Sequence, residues 1–247
     1  MKCAVLLQSY FLDANTALLL NWPSWFLSSL MFCYFTAPII NRLLENRTKK
    51  FYVLSSVLLF AVAIVWSYVW KDEPEAYGRG YYYVYIFPPA RVIDFSQGSI
   101  LSFCFIKYRK NTEQESIIPH IAEAGAILLT FLSIVLVDIL LKSEHYKMYH
   151  MYATTVIYMP PSFLLVWIFA DERGFVTKTL SNSAILQSLG AMSFELYIAH
   201  RMILLFYAHF KTTILYWLLS IVTTLIISKT FIIIKNFIRA KKKHKMQ

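Results

Sequence analysis

LGAMSFELYIAHR, residues 189–201, places a carboxylate (Glu195), a phenol (Tyr197), an imidazole (His200) and a guanidinium (Arg201) in an otherwise apolar run. The run is long enough to cross a bilayer, because about 20 helical residues cover the hydrocarbon core. A charged side chain at that depth costs roughly 2.5–3.5 kcal/mol on insertion scales, so it rarely lies there without a partner or a task. At helical spacing the phenol, imidazole and guanidinium share one face, and the carboxylate points to the far side. The stretch predicts either a polar stripe directed at a neighbouring helix or wet cavity, or a histidine and an arginine that only tie helices together.

The overall composition is that of a membrane protein. Of the 247 residues 58% are hydrophobic and only 15% are charged, whereas soluble domains carry about 25% charged residues. The net charge is +10, but the basic residues lie mainly in short connections and in the tail. This distribution is typical of a polytopic protein and argues against a nucleic-acid-binding face. The three cysteines form no CxxC pair, so we predict neither a disulfide framework nor a metal site.

The hydropathy pattern predicts an all-α fold, a polytopic transmembrane helical bundle of about seven spans. The predicted spans are residues 24–43, 51–70, 87–106, 121–141, 151–170, 189–208 and 212–234. Residues 1–20 are apolar but contain Asp13 and Asn15, which predicts a partial or re-entrant segment. We predict one transmembrane domain, residues 1–234, and a basic cytoplasmic tail, residues 235–247.

The distribution of lysine and arginine predicts the orientation in the membrane. If the sides alternate at each span, one side holds fifteen of these residues, six of them between Lys235 and Lys245, and the other side holds six. The richer side is expected to be cytoplasmic. This predicts a multi-pass protein of the cytoplasmic (inner) membrane with a cytoplasmic C-terminus, whose basic tail lies against anionic membrane lipid at about 1 kcal/mol per charge.

A second polar cluster lies in the predicted span 87–106. In this orientation Arg91 and Asp94 fall in the outer half of their span, as His200 does in its own, so we expect the two clusters to reach similar depth. Arg91 and Asp94 are three residues apart, the spacing of a helical ion pair, which offsets part of the cost of burying either charge. Gly98 lies on nearly the same face and would let another helix or a substrate come close.

Three stretches resemble segments of the membrane-bound acyltransferase-3 family. Residues 21–38, which begin NWPSWFLSSL and continue through FCYF to Pro38, resemble the family's NGPSWFLS…FY…P segment. Residues 87–98, FPPARVIDFSQG, resemble its FPPxRLxDFxxG, and residues 189–200, LGAMSFELYIAH, resemble its LGxxSFExYLxH. The order and spacing also fit, so the resemblance covers most of residues 15–210.

The resemblance implies an integral membrane enzyme that moves an acyl group, usually acetyl, from a cytoplasmic coenzyme A thioester to a sugar hydroxyl. The implied donor is acetyl-CoA, and the implied acceptor is a cell-envelope polysaccharide such as O-antigen or a lipid-linked glycan. The family core has about ten helices, and its first helix carries a basic residue and, after ten intervening residues, a histidine thought to act as general base. This chain begins near the fourth helix of that pattern. We therefore expect an N-terminally truncated member, whose missing helices are encoded upstream or which is an inactive fragment.

Arg109 and His120 also have ten residues between them. The intervening residues KNTEQESIIP form a hydrophilic connection that ends in a proline, not a membrane helix. We therefore expect this match to be a coincidence.

Acyl transfer needs a base for the acceptor proton, donors for the thioester oxyanion and a site shielded from water. His200 is the only histidine in the core of a predicted span, and an imidazole suits a base because it titrates near neutral pH. Because the presumed base of the family belongs to the helix that we expect to be missing, we expect His200 to orient or hydrogen-bond the substrate, and the roles of base and of a purely structural group remain alternatives. Arg91 could bind a carboxylated sugar or a phosphate, or only pair with Asp94. Trp25 could stack on a sugar or belong to the interfacial aromatic belt. The candidate catalytic residue is His200, and the candidate substrate-binding residues are Arg91, Asp94, Tyr197, Arg201, Glu195, Trp25 and Ser24.

Two other functions compete with an acyltransferase. A transporter or flippase would line a translocation path with the polar clusters, but no pair of interrupted helices indicates the inverted repeat that such proteins show. A non-catalytic membrane subunit or pseudoenzyme would fit the expected truncation.

Overall fold

The structure is a computed structural model that describes residues 7–10, 23–71, 79–108, 117–143, 156–210 and 213–244. The longer elements in these ranges are α1 (Ser24–Leu44), α2 (Lys49–Val69), α3 (Pro88–Tyr108), α4 (Ile118–Leu141), α5 (Met159–Phe169), α6 (Phe175–Ser181), α7 (Ala184–Ala191), α8 (Ser193–Phe210) and α9 (Ile214–His244). A 3-10 turn at Gln8–Tyr10 precedes them, and a helical turn at Arg79–Tyr81 runs into a π-helical turn at Tyr82–Ile86 before α3. The described residues contain no strand, and the predicted all-α class is confirmed.

Four of these helices, α1, α2, α4 and α9, are long and apolar enough to cross a membrane, and α7 with α8 would make a fifth span if the two count as one. Of the seven predicted spans, four to five therefore meet this test by length and composition. α3 has the length, with 21 residues, but polar side chains interrupt its apolar character. α5 has 11 residues. The chain is a multi-pass membrane protein.

The predicted span 189–208 is not one straight helix. Met192 separates α7 from α8, and the two helices are bent by 70° relative to each other. The backbone N–H of Met192 donates to the carbonyl oxygens of both Ser188 and Leu189, which closes α7. Gly190 lies two residues before this point. The four polar side chains of the stretch consequently all lie on α8.

Large apolar side chains on the spanning helices point outward. Leu54 on α2, Leu128 on α4 and Ile233 on α9 are each more than half exposed. A continuous apolar surface of this kind is an aggregation liability in water. It matches a surface that lipid covers.

The chain divides into two compact units, the first made of Met1–Leu19 and Trp25–Thr179 and the second of Leu20–Ser24 and Leu180–Gln247. In the first unit α3 packs against α2 and α5, and α5 packs against α4; in the second, α8 packs against α9. A reciprocal pair of hydrogen bonds joins α2 to α3. The Ser56 hydroxyl donates to Gln97 Oε1 at 2.7 Å, and Gln97 Nε2 donates to the Ser56 carbonyl at 2.8 Å. This pair satisfies a buried amide.

Candidate functional site

The first polar cluster centres on Arg91, one turn into α3. Its Nη1 atom lies 2.7 Å from Asp94 Oδ2, and its Nη2 donates to the carbonyl oxygen of Val84 at 2.5 Å. The guanidinium carbon lies 5.8 Å from the ring centroid of Tyr85, within the range of a cation–π contact. The ion pair that the sequence spacing indicated is present. Because three different groups contact the guanidinium, its position is fixed.

An aromatic wall stands beside this arginine. The ring of Tyr85 lies 4.9 Å from that of Trp25 and 5.1 Å from that of Tyr81. The Ser29 hydroxyl donates to the carbonyl of Ile86 at 3.0 Å. The first two motif segments, which are about 60 residues apart in sequence, therefore meet at one place in the first unit.

A π-helical turn, Tyr82–Ile86, supplies the central ring of that wall, Tyr85. The N–H of Phe87 donates to the carbonyl of Tyr82 at 2.8 Å, the wide spacing of a π-helix, and Pro88 then begins α3. Such turns are frequent at functional sites. Tyr82 is buried and donates to the carbonyl of Ser9 at 2.8 Å. Its burial raises its pKa to about 12, because a phenolate is poorly solvated away from water.

The space next to Arg91 is small. A cavity of about 10 Å³ borders Ala63, Trp66, Arg91 and Asp94, which is room for about one water and for no sugar. The side chain of Asp94 is 40% exposed, so its carboxylate is also accessible from outside this cavity. A Cβ built on Gly98 meets nothing within 4 Å, so no helix of the described residues packs closely against this glycine. Gly98 borders open space, and the alternative that a substrate comes close there stays a prediction.

The second polar cluster lies on α8, in the second unit. Glu195 Oε1 accepts a hydrogen bond from Lys235 Nζ of α9 at 3.1 Å, so the carboxylate on the far side of the stripe pairs with the neighbouring helix. His200 is exposed, and its Nδ1 lies 2.6 Å from the carbonyl oxygen of Tyr197. Because a carbonyl only accepts, Nδ1 carries the proton, and Nε2 of the neutral ring keeps its lone pair. Arg201 is half-buried on the same helix.

The structure thus brings together Trp25, Arg91 and Asp94 in the first unit, and it sets Glu195, Tyr197, His200 and Arg201 on one helix of the second. Ser24 is the first residue of α1. The substrate roles assigned to these residues stay predictions, as does the meeting of Arg91 with His200.

Sequence reasoning missed a buried carboxylate near the start of α4. Glu123 is 1% exposed. Its Oε2 accepts from the backbone N–H of Val176 at 2.8 Å, and its Oε1 accepts from the N–H of Thr177 at 3.1 Å and from the Thr177 hydroxyl. A carboxylate on the first N–H groups of a helix satisfies donors that have no partner within the helix. Glu123 therefore ties α4 to α6.

His120 takes part in the same contact. α4 begins at Ile118, so His120 belongs to the helix and not to the preceding connection, and its Nδ1 accepts from the N–H of Phe175 at 2.9 Å. Arg109, its predicted chance partner, lies outside the described residues. The available sequence signal was the His120-x-x-Glu123 spacing, which puts both side chains on one face.

Comparisons with known proteins complete the description. A family model described as an acyltransferase domain, of the type Acyl_transf_3, matches residues 3–233. No curated protein and no solved structure matches the chain significantly. Among the described residues no group of three histidine, cysteine or acidic side chains could hold a metal ion.

Proposed function

Because the chain belongs to the acyltransferase-3 family, we propose that it is a membrane O-acyltransferase whose donor is acetyl-CoA and whose acceptor is a sugar hydroxyl of a cell-envelope polysaccharide or lipid-linked glycan. The supporting observation is that Tyr85 joins two family-like segments: its ring contacts Trp25 of the first segment and the guanidinium of Arg91 in the second. The chain would lie in the cytoplasmic membrane with its C-terminus in the cytoplasm, as the charge count favours.

In this proposal the first unit binds the glycan. The rings of Trp25 and Tyr85 offer an apolar face for a sugar ring. Asp94 is bound to Arg91 through Oδ2, and its exposed carboxylate has lone pairs left for a sugar hydroxyl. Arg91, held in one orientation, offers a fixed positive charge to a carboxylated or phosphorylated sugar.

In the second unit we assign the proton transfer to His200. Its Nδ1–H is held by the Tyr197 carbonyl, which fixes the tautomer and leaves Nε2 to accept a proton or a hydrogen bond. An attacking sugar hydroxyl must lose its proton during acyl transfer. Because the ring is exposed, a substrate has access to Nε2.

The test measures acyl transfer by membranes that contain the full chain, supplied with isotope-labelled acetyl-CoA, and follows the label into the glycan by mass spectrometry. Asp94→Asn should lower transfer about tenfold, since a hydrogen bond to a charged group contributes about 1.5–3 kcal/mol. His200→Gln should lower it about 100-fold, in the range of general-base contributions.

Asp138→Asn is the matched control. It also breaks an ion pair between residues near in sequence, here with Lys142 just after the end of α4, but both side chains are more than 60% exposed. It should leave transfer within about twofold of the wild type, because exposed pairs contribute about 0–1 kcal/mol. Unchanged transfer in well-expressed Asp94→Asn and His200→Gln would remove both residues from the site. Wild-type membranes that transfer no label would overturn the proposed donor.

A further inference from the structure

Lys229 is the only charged residue between Ile214 and Ile234 in α9. It lies six residues before Lys235, which is about 9 Å deeper along the helix at 1.5 Å per residue. A lysine within an apolar span is costly unless its ammonium reaches a partner.

The described part of the chain gives Lys229 no such partner. Among the described residues Lys229 makes no hydrogen bond and no ion pair, whereas Lys235 on the same helix pairs with Glu195 at 3.1 Å. The Lys229 side chain is exposed. Its ammonium is therefore free to bind a group that does not belong to the described part of the protein.

An apolar groove ends at this lysine. The groove has a volume of about 430 Å³, and its walls are formed by α7, through Ile185 and Leu189, and by α9, through Leu225 and Ile226. The volume falls in the range of small-ligand sites, about 300–1,000 Å³. The 70° bend between α7 and α8 turns α7 out of line with α8. Among the described residues that line the groove, Lys229 is the only charged one.

We propose that this groove binds one acyl chain of an anionic glycerophospholipid and that Lys229 binds the lipid phosphate. The apolar lining fits a hydrocarbon chain, and one unbalanced ammonium fits one net negative charge. A zwitterionic lipid would bring a second ammonium that competes for the same phosphate. In the orientation that the charge count favours, Lys229 lies in the cytoplasmic half of α9, near the leaflet whose anionic lipids attract basic side chains.

The experiment uses the full chain in detergent micelles that contain equal amounts of phosphatidylglycerol and phosphatidylcholine, and native mass spectrometry counts the retained lipid. The wild type should retain one phosphatidylglycerol in preference to phosphatidylcholine. Lys229→Met should lower phosphatidylglycerol binding about tenfold, because it removes the charge-assisted hydrogen bond from the ammonium to the phosphate. Ile185→Trp, at an exposed position, should cause a similar loss by filling the groove while the lysine stays intact.

Lys241→Gln is the control, because it removes one positive charge from the same helix outside the groove. It should leave the specific phosphatidylglycerol in place. Equal retention of the two lipids by the wild type, or equal losses in Lys229→Met and Lys241→Gln, would show only diffuse electrostatic attraction and would overturn the site. Full binding in Ile185→Trp would separate the lysine from the groove and overturn the proposed position of the acyl chain. Because no acyl transfer is measured, these outcomes are independent of the proposed enzyme activity.

Discussion

Gly174→Ala should destabilise the chain by forcing Glu123 out of its contact with α6. A Cβ built on Gly174 would lie 1.8 Å from Glu123 Cδ and 2.0 and 2.1 Å from its carboxylate oxygens. The glutamate is flexible, so it can swing away and relieve the overlap. By moving, however, it abandons the N–H groups of Val176 and Thr177.

The expected cost follows from those two donors. Hydrogen bonds to a charged acceptor contribute about 1.5–3 kcal/mol each, and a donor left buried without a partner costs about 1–3 kcal/mol. Thr177 is buried, whereas Val176 is only half-buried and can turn to water. We therefore expect a loss of about 3 kcal/mol for Gly174→Ala, and a similar loss for Glu123→Ala, which removes the same acceptor.

The double variant Gly174→Ala, Glu123→Ala tests whether the overlap with the Glu123 carboxylate causes the loss of stability in Gly174→Ala. Once Glu123 is alanine, the new methyl group at position 174 meets no carboxylate, so Gly174→Ala should add little. The coupling energy in the double-mutant cycle should then be about 3 kcal/mol, at the upper end of values for residues in contact.

The assay is thermal unfolding of the purified chain in detergent, followed by tryptophan fluorescence. For a chain of this length about 1 kcal/mol corresponds to about 2–4 °C, so each single variant should unfold about 6–12 °C lower. Gly125→Ala is the matched control. Gly125 lies on α4, the helix of Glu123, and a Cβ built on it meets nothing within 4 Å. The variant should keep or slightly raise the unfolding temperature, because alanine favours helix over glycine by about 1 kcal/mol. A double variant whose loss equals the sum of the single losses would refute the reasoning.

Three further predictions concern individual contacts, each measured as a change in the unfolding temperature. The pKa of Tyr82 is raised from 10.0 to about 12, so its stabilising contribution is complete below pH 10 and is lost as the pH rises through about 12. Tyr82→Phe, which also removes the hydrogen bond to Ser9, should show a smaller fall in unfolding temperature over that pH range. Equal falls in the wild type and the variant would contradict the assignment. Ser29→Ala leaves a buried carbonyl without its side-chain donor and should cost about 1–3 kcal/mol, which a melting curve identical to wild type would exclude. Lys235→Gln should lower the unfolding temperature, because Glu195 is only 14% exposed and loses its cation, while restoring the charge with Lys235→Arg should recover most of the loss.

Local patterns predicted a large part of this structure. Hydropathy is summed over about 20 residues, so it located α1, α2, α3 and α4 to within three positions. It placed the end of the last span at residue 234, whereas α9 continues to His244, because the charged residues that end the apolar run do not end the helix. The ion pair between Arg91 and Asp94 was predictable because both partners lie on one turn of one helix. The identity of the chain as an acyltransferase-3 family member followed from three short segments, and the family match over residues 3–233 confirms it.

Features that depend on distant contacts were not predictable in this way. Glu123 binds N–H groups 53 and 54 residues further along the chain. The periodicity of apolar residues within a helix does not indicate a partner at that distance in sequence. The Met192 bend interrupts a run that remains apolar on both sides, so hydropathy gave no sign of it. The π-helical turn at Tyr82–Ile86 likewise lies in an aromatic run that resembles an ordinary interfacial belt.

The geometry around Arg91 also determines which variant can assign a substrate role. Arg91→Ala would remove the contact with Val84 in the π-helical turn together with the partner of Asp94, so lost activity would combine a structural defect with lost binding. Asp94→Asn leaves the contacts of the guanidinium with Val84 and Tyr85 in place and removes only the negative charge. A variant that keeps its unfolding temperature within about 2 °C of the wild type, roughly 1 kcal/mol at this length, and still loses acyl transfer about tenfold would place Asp94 against the substrate. If the loss of acyl transfer follows the loss of unfolding temperature across Asp94→Asn, Arg91→Lys and Arg91→Ala, the ion pair between Arg91 and Asp94 only stabilises the packing of α3 against the aromatic wall.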